Sequence, residues 1–162
     1  MTTTTTPRWV PILLAAAAAI LVGVMGMLAT DLGGWYENLA KPEWQPPDWL
    51  FGPVWTAIFA MAALAGVSAW RGATRNADRT RILLLFVTNA FLNVLWSLLF
   101  FRLHRPDWAL VEVAFLWLSI IALMVGLRPL SKASTWWLAP YLAWVTFAAV
   151  LNAAIVRLNP GL

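Results

Sequence analysis

The chain has 162 residues, of which 62% are hydrophobic and only 11% are charged, and its net charge is +4. A soluble domain carries about 25% charged residues, so this composition excludes an ordinary soluble protein and indicates an integral membrane protein. The absence of cysteine and the single histidine, His104, argue against a thiolate nucleophile, a disulfide and a metal site. The arginines are not interleaved as a nucleic-acid groove would require.

Residues 1–9 begin with a threonine tract and are predicted to form a disordered tail. The first apolar run, residues 10–30, is long enough to cross a bilayer, so we interpret it as a retained helix rather than a signal peptide. Four further stretches of spanning length follow, at residues 52–70, 82–101, 107–127 and 135–156. The predicted fold is an all-α bundle of five transmembrane helices, forming one domain over residues 10–157, with a C-terminal tail at 158–162.

The loop between the first two predicted helices, residues 31–51, leads into the second helix through a stretch rich in tryptophan and proline. The stretch Trp35–Trp55 holds four tryptophans and four prolines. Proline fixes φ and removes a hydrogen-bond donor, so most of this stretch is predicted to be structured but irregular. A rigid aromatic segment between two apolar helices favours a lid over a pocket, and a belt of tryptophans at the membrane interface is the alternative.

Basic residues are unequally divided between the two sides of the predicted bundle. The side of the N-terminus carries seven of them: Arg8, Arg71, Arg75, Arg79, Arg81, Arg128 and Lys132. The opposite side carries four: Lys41, Arg102, Arg105 and Arg157. The positive-inside rule therefore predicts a cytoplasmic N-terminus, with the loop and the C-terminus outside.

The third predicted helix contains the pattern N-x-x-x-N-x-x-W at Asn89, Asn93 and Trp96, whose spacing places all three on one helical face. Amides are costly in lipid, so this face is expected to point into the bundle. Two interpretations remain open, namely hydrogen bonds to neighbouring helices and contact with a ligand.

The fifth predicted helix places Tyr141, Trp144, Ala148 and Asn152 on one face. Trp144 lies near the middle of the span, far from either interface. It is therefore expected either to pack in the core or to line a cavity.

Glu112 lies within the fourth predicted helix, and an intramembrane acid is a candidate for function. The alternatives are that it reaches the interface or pairs with Arg102 or Arg105. No nucleophile–base pair, phosphate-binding glycine loop or carboxylate dyad is visible in the sequence. Tryptophans and amides instead favour an apolar pocket with a few polar groups, which is typical of a small-molecule site.

Four ordered motifs resemble the TspO/MBR family: W-Y-x-x-L-x-K-P-x-W-x-P-P from Trp35, F-x-x-V-W from Phe51, N-x-x-x-N-x-x-W-S from Asn89, and P-Y-x-x-W-x-x-F-A-x-x-L-N from Pro140. The resemblance implies five transmembrane helices, a homodimer and a ligand cavity beneath the first loop. It also implies binding of porphyrins such as protoporphyrin IX, of synthetic isoquinoline-carboxamide ligands and, in animal members, of cholesterol.

The resemblance implies a ligand-binding set made of Tyr36, Pro46, Trp55, Asn89, Asn93, Trp96, Trp144, Phe147 and Ala148. Trp55 and Trp144 match a pair that supports light-dependent porphyrin breakdown in some bacterial members, and Glu112 matches an acidic position of the fourth helix. The animal sterol motif has a central tyrosine where this chain has Ala153, which argues against cholesterol binding and suggests a bacterial membrane.

The resulting hypothesis is a membrane receptor or sensor that binds tetrapyrroles and related hydrophobic ligands, needs no cofactor and regulates tetrapyrrole metabolism or a stress response. One alternative is an enzyme that degrades porphyrin under light, with Trp55 and Trp144 as its catalytic pair. Another is a transporter of porphyrin or sterol.

Overall fold

The computed structural model describes residues 9–161, so the predicted tail lies, apart from Trp9, outside the described residues. Five long helices dominate: α1 (Val10–Ala29), α3 (Phe51–Gly72), α4 (Asn76–Ser97), α5 (Pro106–Leu127) and α6 (Lys132–Leu158). A short helix, α2 (Gly34–Glu37), lies in the loop between α1 and α3. The five long helices have the length and apolar composition needed to cross a membrane. The described part of the chain has no strand, so the predicted five-helix fold is confirmed.

Several helix ends differ from the predicted ones. α4 begins at Asn76 rather than at Ile82, and α6 runs from Lys132 to Leu158 rather than from 135 to 156. The predicted ends were placed where polar residues begin, but a helix can continue into a polar segment after it leaves the apolar layer. In the first turn of α4, Asp78 accepts hydrogen bonds of 3.1 and 3.0 Å from the Arg75 guanidinium, and a carboxylate there also favours the positive end of the helix dipole.

Two short stretches that adjoin long helices depart from α-helical geometry, one with a tighter winding and one with a wider winding. A single 3₁₀ turn, Asp48–Leu50, leads directly into α3, so this helix starts at Phe51 just ahead of Pro53. Proline is tolerated in a first turn because its missing N–H would have no partner there. The C-terminal end of α4 continues as a π-helical turn, Leu98–Arg102, before the short link to α5.

The core of the bundle lies where α5 packs against α4 and α6. The largest fully buried apolar side chains are those of Ile58, Ile120, Leu123, Leu127, Leu138, Tyr141 and Val145. α1 packs on α3, on α4 and on the π-helical turn that follows α4, and Ala29 is its one buried residue. α1 is thus a peripheral helix, and the space it encloses with α3 is not filled by side chains.

Polar groups inside the bundle join helices to one another. The buried Ser134 hydroxyl of α6 donates to the Ala65 carbonyl of α3 at 2.9 Å, and Asn152 Nδ2 donates to the Pro106 carbonyl of α5 at 2.8 Å. Lipid gives helices no hydrophobic incentive to associate, so such bonds and close packing hold the bundle together.

The loop is fastened to the ends of the helices around it. The Trp35 ring stacks on His104, with 4.3 Å between centroids, and meets Phe100 edge-on. At the end of α6, Asn159 forms a two-way clip with Ala40: its Oδ1 accepts from the Ala40 N–H at 2.9 Å, and its Nδ2 donates to the Ala40 carbonyl at 2.9 Å. These contacts hold the loop over one end of the bundle.

Replacing Asn159 with alanine is expected to loosen the middle of the loop, because both bonds of the clip are lost. Each such bond contributes about 1 kcal/mol, so hydrogen exchange at the Ala40 amide should quicken by about tenfold or more. Asn38→Ala is the matched control, since the Asn38 side chain only bonds the Gly34 carbonyl within α2. Equal exchange at Ala40 in Asn159→Ala and in the unaltered protein would show that the clip does not hold the loop.

Candidate functional site

A cavity of about 1030 Å³ lies beneath the loop and extends down the space between α1 and α3. Its walls come from α1, the loop, α3, α4 and α6. Around the end nearest the loop its lining includes Tyr36, Gln45, Asp48, Trp49, Phe51, Trp55, Asn93, Trp96, Ser97, Phe100, Phe101, Trp144, Ala148, Leu151, Asn152 and Ile155. The lining is predominantly apolar and aromatic, with a few polar groups, which is the usual form of a small-molecule site.

Aromatic rings brace one another around this cavity. Trp96 stacks on Phe100 with a centroid distance of 5.2 Å, and Phe51 meets Trp144 edge-on at 5.6 Å. On α3, Trp55 stacks on its helical neighbour Phe59 at 5.3 Å. Such pairs favour defined ring orientations, so the walls are stiff planar surfaces against which a flat guest can stack.

Six of the nine ligand-binding residues implied by the resemblance line the cavity: Tyr36, Trp55, Asn93, Trp96, Trp144 and Ala148. The five contributed by α3, α4 and α6 reach it because they occupy the inward faces of those helices. The structure therefore brings together residues that are as far apart in the sequence as Tyr36 and Ala148.

The other three predicted residues do not line the cavity. Asn89 is buried one turn deeper, where it bonds Ser119 and Tyr141, so the helix-to-helix interpretation applies to it. Pro46 is half-buried in the loop, but its neighbour Gln45 lines the cavity instead. Phe147 lies on a separate outer groove of about 380 Å³ between α3 and α6, which Trp144 also borders.

The loop closes the cavity through a hydrogen-bonded trio. The Tyr36 hydroxyl donates to Asp48 Oδ1 at 2.8 Å, and Gln45 Nε2 donates to both of them, at 3.1 and 3.0 Å. Burial of Tyr36, and then its hydrogen bond to Asp48, raise the pKa of its hydroxyl above the ordinary value, so it remains a donor. The ammonium nitrogen of Lys41 lies over the Tyr36 ring, 3.7 Å from its centroid.

Glu112 is buried in the bundle but does not line the cavity. Neither carboxyl oxygen has a hydrogen-bond partner among the described residues. The two arginines considered as partners are engaged elsewhere, since Arg102 faces Asp31 at 3.6 Å and Arg105 pairs with Asp107. The alternative of an ion pair between Glu112 and either arginine is therefore not seen among the described residues.

Two parts of the lining were not predicted from the sequence. α1 contributes small and apolar residues along most of its length, among them Ala15, Ala19 and Gly23, which carry no chemical signal of a site. Gln45 and Asp48 belong to the irregular loop, whose path the sequence does not define. Asn152 could have been found, because it shares a helical face with Trp144 and Ala148.

Comparison with known proteins agrees with this architecture. The profile of the TspO/MBR family matches residues 11–158. The tryptophan-rich protein TspO of Chlorobaculum tepidum is 39% identical, over 91% of this chain and 94% of that protein. The translocator protein of Homo sapiens is 31% identical over 96% and 94%, and the tryptophan-rich sensory protein of Cereibacter sphaeroides is 35% identical over 77% of each. The chain is an integral, multi-pass membrane protein that belongs to the TspO/MBR family.

Proposed function

We propose that the protein is a membrane receptor or sensor that binds a flat tetrapyrrole of the protoporphyrin IX kind in the cavity beneath the loop. The observation that carries the proposal is the cavity itself, at the upper end of the range of about 300–1,000 Å³ for small-molecule sites. Its indole walls at Trp55, Trp96 and Trp144 suit an extended aromatic guest that gains most from stacking. The names of relatives as a sensory protein and a translocator protein support a role in sensing rather than in ordinary turnover.

Titration with protoporphyrin IX, followed by tryptophan fluorescence, tests this role. Saturable quenching is expected, and Trp144→Ala should weaken binding by about tenfold or more, because a stacking surface worth some 1.5 kcal/mol or more is removed. Trp136→Ala is the matched control on the same helix, since the Trp136 side chain is 79% exposed and remote from the cavity. Quenching that never saturates, or that both variants weaken equally, would reject the cavity as the porphyrin site.

One observation favours a second candidate, the light-dependent breakdown of bound porphyrin. Both Trp55 and Trp144 border the cavity, so a bound ring could contact both indoles. Under illumination, loss of the porphyrin absorption bands is expected with the unaltered protein. A double replacement of Trp55 and Trp144 by phenylalanine should still bind porphyrin but no longer bleach it. An unchanged spectrum with the illuminated unaltered protein would eliminate this candidate and leave the binding role standing.

A further inference from the structure

The end of the bundle opposite the loop carries a concentration of positive charge. Its described residues include six basic side chains and a single acid, Asp78, which gives this end a net charge of +5. Arg75 pairs with Asp78 at 3.0 Å. The other five are exposed and have no carboxylate oxygen within 4.0 Å among residues 9–161, and we call them the basic cluster: Arg71, Arg79, Arg81, Arg128 and Lys132. The acids of the protein therefore leave most of this charge uncompensated.

The loop end has a different balance, with four basic and five acidic residues and a net charge of −1. Its arginines are largely engaged by the protein itself. Arg102 donates to the Leu28 carbonyl at 2.6 Å and faces Asp31 at 3.6 Å. Arg105 pairs with Asp107. The two ends therefore differ in how far their positive charge is neutralised within the protein, and not only in the number of basic residues.

Contacts between helix ends gather the basic cluster around the link between α5 and α6, residues 128–131. The guanidinium of Arg81, in the first two turns of α4, donates an N–H to the Gly126 carbonyl at 2.7 Å. Gly126 belongs to the last turn of α5, two residues before Arg128. Arg81 and Arg128 thus lie at adjoining helix ends.

The end of α3 meets the same link. Gly72, which directly follows Arg71, packs so closely against it that a Cβ atom on Gly72 would lie 2.1 Å from the Leu130 carbonyl oxygen. Lys132 comes after the link as the first residue of α6. The ends of four helices therefore bring the basic cluster onto one surface.

Tryptophans lie at the same end of the bundle. Trp70, in the last turn of α3, is half-buried, and the Arg79 guanidinium carbon lies 5.3 Å from the centre of its ring. Trp136 and Trp137, in the first two turns of α6, are 79% and 40% exposed. Indoles collect where acyl chains meet the head groups, so these rings mark that level of the membrane. The basic cluster therefore lies at the height of the lipid phosphates.

We propose that the basic cluster binds the phosphates of anionic phospholipids, so that the protein prefers such lipids around this end of the bundle. A charge bias alone indicates only how a membrane protein is oriented. Here the cations also lack carboxylate partners, converge on one link and lie beside indoles at the head-group level. A guanidinium has five N–H donors in a planar fork that matches phosphate oxygens, and Arg81 donates only one of them to the Gly126 carbonyl. The proposal does not depend on what the cavity binds.

Spin-labelled lipids measure this preference directly. The purified protein is reconstituted in phosphatidylcholine bilayers at low ionic strength, with labelled phosphatidylglycerol or labelled phosphatidylcholine of identical acyl chains. Electron paramagnetic resonance gives the fraction of each label held at the protein surface, and hence the ratio of the two association constants. A ratio of about two or more in favour of phosphatidylglycerol is expected, because each basic residue attracts an anionic head group about fivefold and only part of the lipid shell contacts the cluster.

Two double replacements locate the preference. Arg128→Gln with Lys132→Gln removes two charges from the basic cluster and should lower the ratio by about one third or more. Lys41→Gln with Arg157→Gln is the matched control, because it removes one lysine and one arginine from the loop end, and it should leave the ratio unchanged. The unaltered protein at about 1 M sodium chloride should give a ratio close to one, since the Debye length is then only about 3 Å.

Three outcomes would overturn the proposal. The first is a ratio of about one for the unaltered protein at low ionic strength. The second is a preference that persists at high salt, which would show that charge does not select the lipid; this measurement needs no variant. The third is a ratio that Arg128→Gln with Lys132→Gln leaves unchanged, or that both double replacements lower equally, because the basic cluster would then not be the site.

Discussion

Replacing Ala148 with tryptophan is expected to weaken protoporphyrin IX binding by about 100-fold or more. Ala148 lies on the wall of the cavity one helical turn from Trp144, and its small side chain leaves the space beside that indole open. A second indole at this position would occupy the surface on which a flat guest stacks. Losing that surface costs about 3 kcal/mol of binding free energy, and each 1.4 kcal/mol is a tenfold change in affinity.

Ala143→Trp is the matched control for this change. Ala143 lies on the same helix, is exposed and borders the outer groove rather than the cavity, so the same enlargement there faces lipid. Fluorescence titration of the two variants side by side is the measurement. Binding by Ala148→Trp with the affinity of the unaltered protein would mean that porphyrin binds elsewhere on the molecule.

The fold could be predicted because the lengths of the apolar runs indicate the spanning helices and the prolines indicate the irregular loop between the first two of them. Membrane-spanning helices need about 20 apolar residues, and the five runs that meet this length correspond to the five long helices. Prolines predicted that the loop is irregular, and it contains only a short helix and one 3₁₀ turn. The helix ends could be predicted less well, since hydropathy indicates where a helix enters the apolar layer of the membrane and not where the helix itself begins. The start of α4 at Asn76 lies in a polar segment that remains helical beyond the apolar layer.

Helical spacing predicted which side chains face inward but not what they meet there. Asn89 and Asn93 lie on one face, as expected, and both are buried. Only Asn93 reaches the cavity, because the Tyr141 hydroxyl from α6 bonds to both amides and closes the interior at the level of Asn89. That difference depends on the relative height of two helices, which the sequence of either one does not contain.

The remaining part of the site depends on contacts between distant segments. α1 lines the cavity because it lies at the edge of the bundle, where Ala29 is its one buried residue, and a uniformly apolar helix gives no sign of which neighbour it will approach. In the loop, the resemblance pointed to Pro46, whereas the bonds of Tyr36 and Asp48 draw the adjacent Gln45 to the cavity. Close approaches between backbones are equally invisible in the sequence, and Gly72 provides the strongest example.

Replacing Gly72 with alanine is expected to destabilise the protein by about 3 kcal/mol. Gly72 ends α3 where the link between α5 and α6 passes, and a Cβ atom there would lie only 2.1 Å from the Leu130 carbonyl oxygen and 3.0 Å from its carbon. The obstructing atoms are backbone, so no side-chain rotation can relieve the clash and either α3 or the link must move. Unfolding of the purified protein in detergent, followed by circular dichroism, measures the loss.

Gly26→Ala is the control, because it makes the same substitution inside a long helix where a Cβ atom would meet nothing within 4 Å. Alanine has the higher helix propensity, so this variant should be as stable as the unaltered protein or more stable by up to about 1 kcal/mol. Gly72→Ala is thus expected to lower the stability and Gly26→Ala is not, which separates the clash from any general effect of removing a glycine. If Gly72→Ala and Gly26→Ala have the same free energy of unfolding, the end of α3 and Leu130 do not approach each other as closely as the structure places them.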